Sequence, residues 1–410
     1  MKTLINKYKN VIKDFSLNIL ASFAITAVTQ IIVYPWLARE FDAVLYGVIL
    51  TIMGVGNTVV SSVGGSINNT RLLMVSAYEE NKTSGDFLPI LYVLDLISLI
   101  LYFAYIMVTD SGINYVTLAL LMLYIVLGNA RGYGMVAYRL ELNYVRNLLC
   151  SIAVSIGNIA GVFLIVAGCQ NYLWPLIFVL GEAFGTIVLM LSTDIFKEPL
   201  KKTPLFGKTF GKVTILLITT LIANLLIYLD RILLLPILGG ESVSVYTTAS
   251  FFGKCLGLLL TPMAGVLLSY FAQGDYAMTK KKFRSINLSV AVFAGVFLLI
   301  SLLLSDLVTG LLYPSLIASA RPFLLIANIT MIIAAVGNMT QPAVLKYAPT
   351  GFQILIQTIY CLVYIGGGYL GAMNSGLRGF ASAALIAALI RLLMLYGIGE
   401  VYIADKGTQQ

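Results

Sequence analysis

The chain has 410 residues, of which 59% are apolar and only 11% charged, with a net charge of +8 and a mean hydropathy of +0.94. A soluble domain is about 45–50% apolar and about 25% charged, so this composition excludes an ordinary soluble enzyme or a disordered scaffold and points to a polytopic helical membrane protein. With no histidine and four scattered cysteines (Cys150, Cys169, Cys255, Cys361), it also excludes Ser-His-Asp hydrolysis, His-based zinc or haem sites and a CxxC or disulfide framework. No metal or cofactor is expected. The basic balance suits the cytoplasmic margin of a membrane, and no nucleic-acid partner is expected.

A bilayer core about 30 Å thick takes about 20 apolar residues per helical crossing. Twelve such stretches lie near 15–37, 45–68, 87–108, 113–136, 146–168, 172–193, 212–238, 244–272, 286–305, 319–343, 352–372 and 377–399. The first follows Lys2, Lys7, Lys9 and Lys13 and is too long for a cleaved signal, so it reads as a signal-anchor helix. The second, from Gly54 to Asn69, is rich in glycine, serine and asparagine, with Asn57, Ser61 and Asn68 roughly on one face. It suits either the wall of a water-filled cavity or close helix packing through Gly54, Gly64 and Gly65. Asp95 lies in the third span and Glu182 in the sixth. Each is a candidate proton carrier or a hydrogen-bonded packing group.

Residues 197–212 are basic, contain Pro199, Pro204 and Gly207, and read as a cytoplasmic linker between an N-terminal lobe, 1–196, and a C-terminal lobe, 213–410. Asp230 and Arg231 lie about 13 Å inside the seventh span, and Lys254 about 15 Å inside the eighth. The neighbours Asp230 and Arg231 cannot both face Lys254, so one pairs with it and the other is left to a ligand or a helix. Further amides occupy spans one, ten and eleven (Asn18, Gln30, Asn328, Asn338, Gln341, Gln353, Gln357), and Arg391 in the last span reads as a snorkelling side chain.

Charge placement tests this topology. With the N-terminus cytoplasmic, 20 of the 26 basic residues, Arg131 among them, fall on inner segments, three on outer ones and three (Arg231, Lys254, Arg391) within spans. The bias supports both termini inside. Trp36 and Trp174 fall at outer span ends, as an aromatic belt predicts. The halves also echo each other: Pro35/Pro236, Leu37/Leu238 and Glu40/Glu241 share an offset of 201. An even number of spans per half makes this a parallel repeat, an architecture used by alternating-access carriers.

Asn224, then Asp230-Arg231, then Leu238-Gly239, then Tyr246 with Ala249 resembles the seventh-span signature of Wzx-like polysaccharide flippases, a branch of the multidrug/oligosaccharidyl-lipid/polysaccharide exporter superfamily. Ser244 stands where that signature has glycine. Leu37-Ala38-Arg39 with Tyr46-Gly47 resembles the family segment after span one, with Glu40-Phe41 in place of its Leu-Gly. The resemblance implies two six-helix lobes of MATE-like fold in a bacterial inner membrane. It implies transport of an undecaprenyl-pyrophosphate-linked oligosaccharide for O-antigen, capsule or exopolysaccharide assembly, and no enzymatic step. In that setting Arg231 and Lys254 would hold the pyrophosphate, assisted by Arg39 and Arg71, while Asn57 and Asn68 would meet sugar. Asp230, Glu182 and Asp95 are the candidates for coupling to a proton or sodium gradient, and a polysaccharide polymerase and chain-length regulator are the expected protein partners. The rival readings are a cation-coupled multidrug exporter of the same superfamily and a membrane polysaccharide polymerase or glycosyltransferase.

Overall fold

The computed structural model describes residues 16–109, 113–272 and 278–403, so the basic run from Lys2 to Lys13 and Lys406 lie outside the described residues. No strand occurs among the described residues. The helices, in chain order, are α1 Ser16–Glu40, α2 Ala43–Glu80, α3 Phe87–Val108, α4 Tyr115–Leu140, α5 Tyr144–Val166 and α6 Asn171–Ser192, followed by α7 Phe206–Ile227, α8 Leu229–Ala249, α9 Phe251–Ala272, α10 Lys280–Leu312, α11 Ile317–Tyr347 and α12 Gly351–Tyr402. All of them except α9 are by themselves long and apolar enough to cross a membrane. The chain is an all-helical, multi-pass membrane protein.

Apolar runs set where the helices lie, and polar caps set where several begin. The Asn114 side chain accepts the Thr117 amide at the start of α4, Asn143 accepts that of Arg146 before α5, and Thr279 accepts that of Lys282 before α10. Each satisfies one of the amides that the first helical turn leaves open. The predicted seventh and eighth spans, 212–238 and 244–272, are each interrupted, and the kink between them falls in the predicted gap. Tyr228 separates α7 from α8, Gly239 at φ 79° kinks α8, and Ser250 separates α8 from α9. A side chain at Gly239 would be strained by that backbone. α12 holds the last two predicted spans and is broken at Ser375-Gly376, where Gly371 and Gly379 meet backbone to backbone.

The described chain divides into two compact units, and the chain passes between them after Glu40, after Gly47 and after Ile232. The first holds residues up to Glu40 and Val48–Ile232; the second holds Phe41–Gly47 and Leu233 onward. Residues 206–227, α7, therefore belong with the first unit. Polar contacts explain the attachment: Asn224 donates to Ser62 Oγ at 3.0 Å, Ser66 and Thr220 hydroxyls are 2.9 Å apart, and Tyr78 and Thr209 hydroxyls are 2.8 Å apart.

The segment between α6 and α7 is fastened to the same unit. Arg71 forms a two-pronged ion pair with Glu198 and donates to Tyr133 Oη at 2.6 Å. Fully buried Asp86 accepts from Tyr78 Oη at 2.6 Å, from the Thr203 amide at 2.7 Å and from the Thr203 hydroxyl. Replacing Asp86 by alanine leaves these donors without their acceptor and is expected to destabilise the protein by about 2 kcal/mol. A melting curve in detergent checks this; an Asp86→Ala protein as stable as wild type would refute the clasp.

Elsewhere in the first unit, small residues bring helices close. Gly157 and Gly161 of α5 lie against the backbones of Leu180 and Ile177 of α6, and Gly64 of α2 lies against Gly132 of α4. Trp174 is 3% exposed and stands edge-on to Phe178 at 6.2 Å, so it is a packing residue rather than a lipid-facing belt anchor.

In the second unit, residues 41–47 pack on the kinked half of α8. Gly47 and Gly240 touch through their backbones, and Ser244 Oγ donates to the Ala43 carbonyl. Ser244, the departure from the glycine of the flippase signature, has a structural use here.

Candidate functional site

In the first unit Glu182, Asp95, Asn57 and Asn68 each have a defined partner. Glu182 is ion-paired with Arg131, Nε to Oε2 at 2.5 Å and Nη2 to Oε1 at 3.0 Å, and both side chains are largely buried. Arg131 is thus no loop residue, as the charge count had it. Near the C-terminal end of a helix, a long side chain points back toward the N-terminus, and from α4 this carries the guanidinium inward. Asp95, 7% exposed, accepts from Asn129 Nδ2 at 2.8 Å. Asn57 Oδ1 accepts from Tyr124 Oη at 2.8 Å, while Asn68 donates to the Gly132 carbonyl at 3.0 Å and accepts from Arg139 at 2.5 Å. The amides of α2 are therefore engaged with α4, and Gly54 leaves space for the Tyr228 ring.

Arg231 also belongs to the first unit. Its Nη1 donates to the Leu50 carbonyl at 3.2 Å, and its guanidinium lies 5.4 Å from the Tyr228 ring centre and 6.0 Å from that of Tyr34. Aromatic faces attract such a cation without neutralising it. Asp230 accepts from the Arg231 amide at 2.9 Å. Arg39 is exposed at the end of α1.

The second unit holds half-buried Lys254 on α9 and Arg391 on α12. Arg391 lies eleven residues before the end of α12, about 16 Å along the helix, and its guanidinium is turned toward α11. Its Nη2 donates to Asn338 Oδ1 at 3.0 Å and to Gln341 Oε1 at 2.8 Å, and its guanidinium lies 5.5 Å from the Tyr360 ring centre. Gly337, between the amides and the guanidinium, leaves room for it, since a Cβ there would lie 3.4 Å from Nη1. Among the described residues no carboxylate pairs with Arg391. A fixed positive charge held by neutral groups inside a membrane span is expensive, and it is a binding-site candidate on that ground. The signal legible in the sequence was the coincidence of Arg391 with the amides of the tenth span. Among the described residues no cluster of acidic or cysteine side chains could hold a metal ion.

No protein-family model matches the chain, and no curated protein matches it in sequence. Solved structures do resemble it. The lipid II flippase MurJ in an inward closed conformation superposes with a TM-score of 0.68 at 17% identity, covering 95% of this chain and 86% of that one. A mutant of the Vibrio cholerae MATE transporter VcmN gives 0.66 at 11% identity over 98% of each chain. An inward-facing multidrug resistance MATE family transporter of the MOP superfamily gives 0.62 at 13% identity over 94% of each. The chain therefore has the fold that MurJ and the MATE transporters share.

Proposed function

We propose that the chain is a flippase that moves an undecaprenyl-pyrophosphate-linked oligosaccharide across a bacterial cytoplasmic membrane by alternating access, with both termini cytoplasmic and with 1–196 and 213–410 as its repeated halves. The observation that carries this reading is Arg391, a guanidinium on a membrane-length helix whose partners among the described residues are neutral. A pyrophosphate supplies the missing negative charge and accepts charge-assisted hydrogen bonds. Arg231 of the first unit and Lys254 of the second are each proposed as a further contact for the anion, and Arg39 is proposed to meet it at a membrane face. The fold shared with a lipid II flippase supports a lipid-linked cargo. The amides at Asn338 and Gln341 add neutral hydrogen-bonding groups of the kind that sugars need.

Among the carboxylates, Asp95 suits ion coupling better than Glu182. Protonating Glu182 would strand the buried Arg131, whereas Asp95 faces only an amide. Asp95→Asn is expected to abolish the dependence of transport on a proton or sodium gradient, with cargo binding retained. Gradient-dependent transport by this variant would reassign the role.

The proposal is tested in a strain lacking the gene. Lipid-linked repeat units accumulating on the cytoplasmic leaflet, with loss of surface polysaccharide, support a flippase. A second reading, a multidrug exporter, draws on the MATE structures that share the fold. Normal surface polysaccharide with increased sensitivity to cationic drugs would favour it.

A further inference from the structure

The flank of the second unit formed by α10 and α11 carries a recess that the transport reading does not use. Its volume is 270 Å³, and its polar lining is Ser301, Ser305 and Asp306 of α10 with Arg321 and Asn328 of α11. Ser301 and Ser305 are one helical turn apart on one face, and both are buried. At the rim, Asp306 and Arg321 pair through Nε–Oδ1 at 2.8 Å and Nη2–Oδ2 at 3.1 Å, and both side chains are more than half exposed. The open side is apolar: Leu302 and Leu325 border the recess and are 53% and 54% exposed.

At the floor lies Asn328, 1% exposed. Its Oδ1 accepts the Gly253 amide at 2.6 Å, but its Nδ2 has no hydrogen-bond partner among the described residues. Asn328 thus closes the recess against α9. The polar groups from Ser301 to Asp306 span about 7.5 Å along α10, and Asp306 lies about 9 Å from the helix end, close to headgroup depth.

We infer that this recess binds one phospholipid with a zwitterionic headgroup bearing a primary amine. The ammonium sits beside Asp306 and the phosphate beside Arg321, each able to form a charge-assisted hydrogen bond. The ester region lies alongside the Ser301 and Ser305 hydroxyls. The acyl chains run over Leu302 and Leu325. The charge of the rim selects the headgroup. One carboxylate and one guanidinium sum to zero, so an anionic lipid would set its uncompensated charge against Asp306, and a quaternary ammonium has no proton to donate to it.

The test is lipid titration of the full-length protein in detergent, read by native mass spectrometry, with phosphatidylethanolamine, phosphatidylcholine and phosphatidylglycerol as probes. One phosphatidylethanolamine is expected to bind about tenfold more tightly than either of the others. Asp306→Asn, a change at an exposed position that leaves the fold intact, is expected to remove that preference. Ser305→Leu, which fills the recess, is expected to remove the bound lipid. Equal binding of the three lipids to wild type would overturn the inference. So would strongest binding of phosphatidylglycerol, or a preference that survives Asp306→Asn. None of these outcomes depends on which cargo the protein carries.

Discussion

Arg391→Ala is expected to reduce flux of the lipid-linked cargo about a hundredfold while the protein still inserts and folds. A hydrogen bond to a charged group contributes about 1.5–3 kcal/mol, and at the lower end of that range two such bonds from one guanidinium to a pyrophosphate give a factor of about 100. The substitution releases Asn338 and Gln341 from their shared donor, which by itself is a modest loss of stability. The measurement is the amount of cytoplasmic-leaflet lipid-linked repeat units in a deletion strain carrying the variant at wild-type expression. Arg391→Lys keeps the charge but loses the planar two-pronged donor, so partial recovery is expected. Wild-type flux through Arg391→Ala would remove this residue from the anion site and shift the proposal onto Arg231 and Lys254 alone.

The largest expected effect on stability lies in the first unit. Glu182→Ala leaves the Arg131 guanidinium inside α4 and α6 without its carboxylate, and breaking a buried pair in this way costs about 3–5 kcal/mol. The side chains are 16% and 9% exposed, so water compensates little. The double variant Arg131→Met with Glu182→Leu removes both charges and is expected to recover most of that loss. Thermal unfolding of the three proteins in one detergent decides the matter. A Glu182→Ala protein as stable as wild type would show that the pair does not hold the helices together. A double variant no better than the single would show that charge is not the reason.

Fold class was legible because membrane crossings are written in long apolar runs, and the helices follow those runs. The kink at Gly239 falls in the gap predicted between spans 212–238 and 244–272, whereas the breaks at Tyr228 and Ser250 were not legible. Nothing local marks Tyr228 as a helix end; its ring fits where Gly54, far away in sequence, leaves space. The ionisable candidates were visible because charge is rare in such a chain, but their partners were not. Arg131 was counted with the inner segments although it lies within the predicted span 113–136, because the charge rule takes no account of side-chain direction, and the amides that hold Arg391 lie on another helix. Asp86 was overlooked for a different reason: its acceptor role depends on Thr203, 117 residues away. Burial of single tyrosines was equally hidden: Tyr46, Tyr102, Tyr133, Tyr138 and Tyr246 are among the largest fully buried side chains.

The contact between residues 41–47 and the kinked half of α8 bears on how such a chain could arise. Ala43 and Ser244 meet through a hydrogen bond and are separated by 201 residues, the offset of the sequence echo. Gly47 meets Gly240, so one segment advances by four residues as the other retreats by four. A position that touches its own repeat-mate is what an isologous contact between two copies of one shorter chain requires. A half-length ancestor would have met a second copy of itself here, with position 43 against position 43. Any change at that spot would have been felt on both sides at once. Were such copies fused into one gene, each side would become free to change alone, and alanine on one side with serine on the other is the kind of asymmetry that only a fused chain could carry.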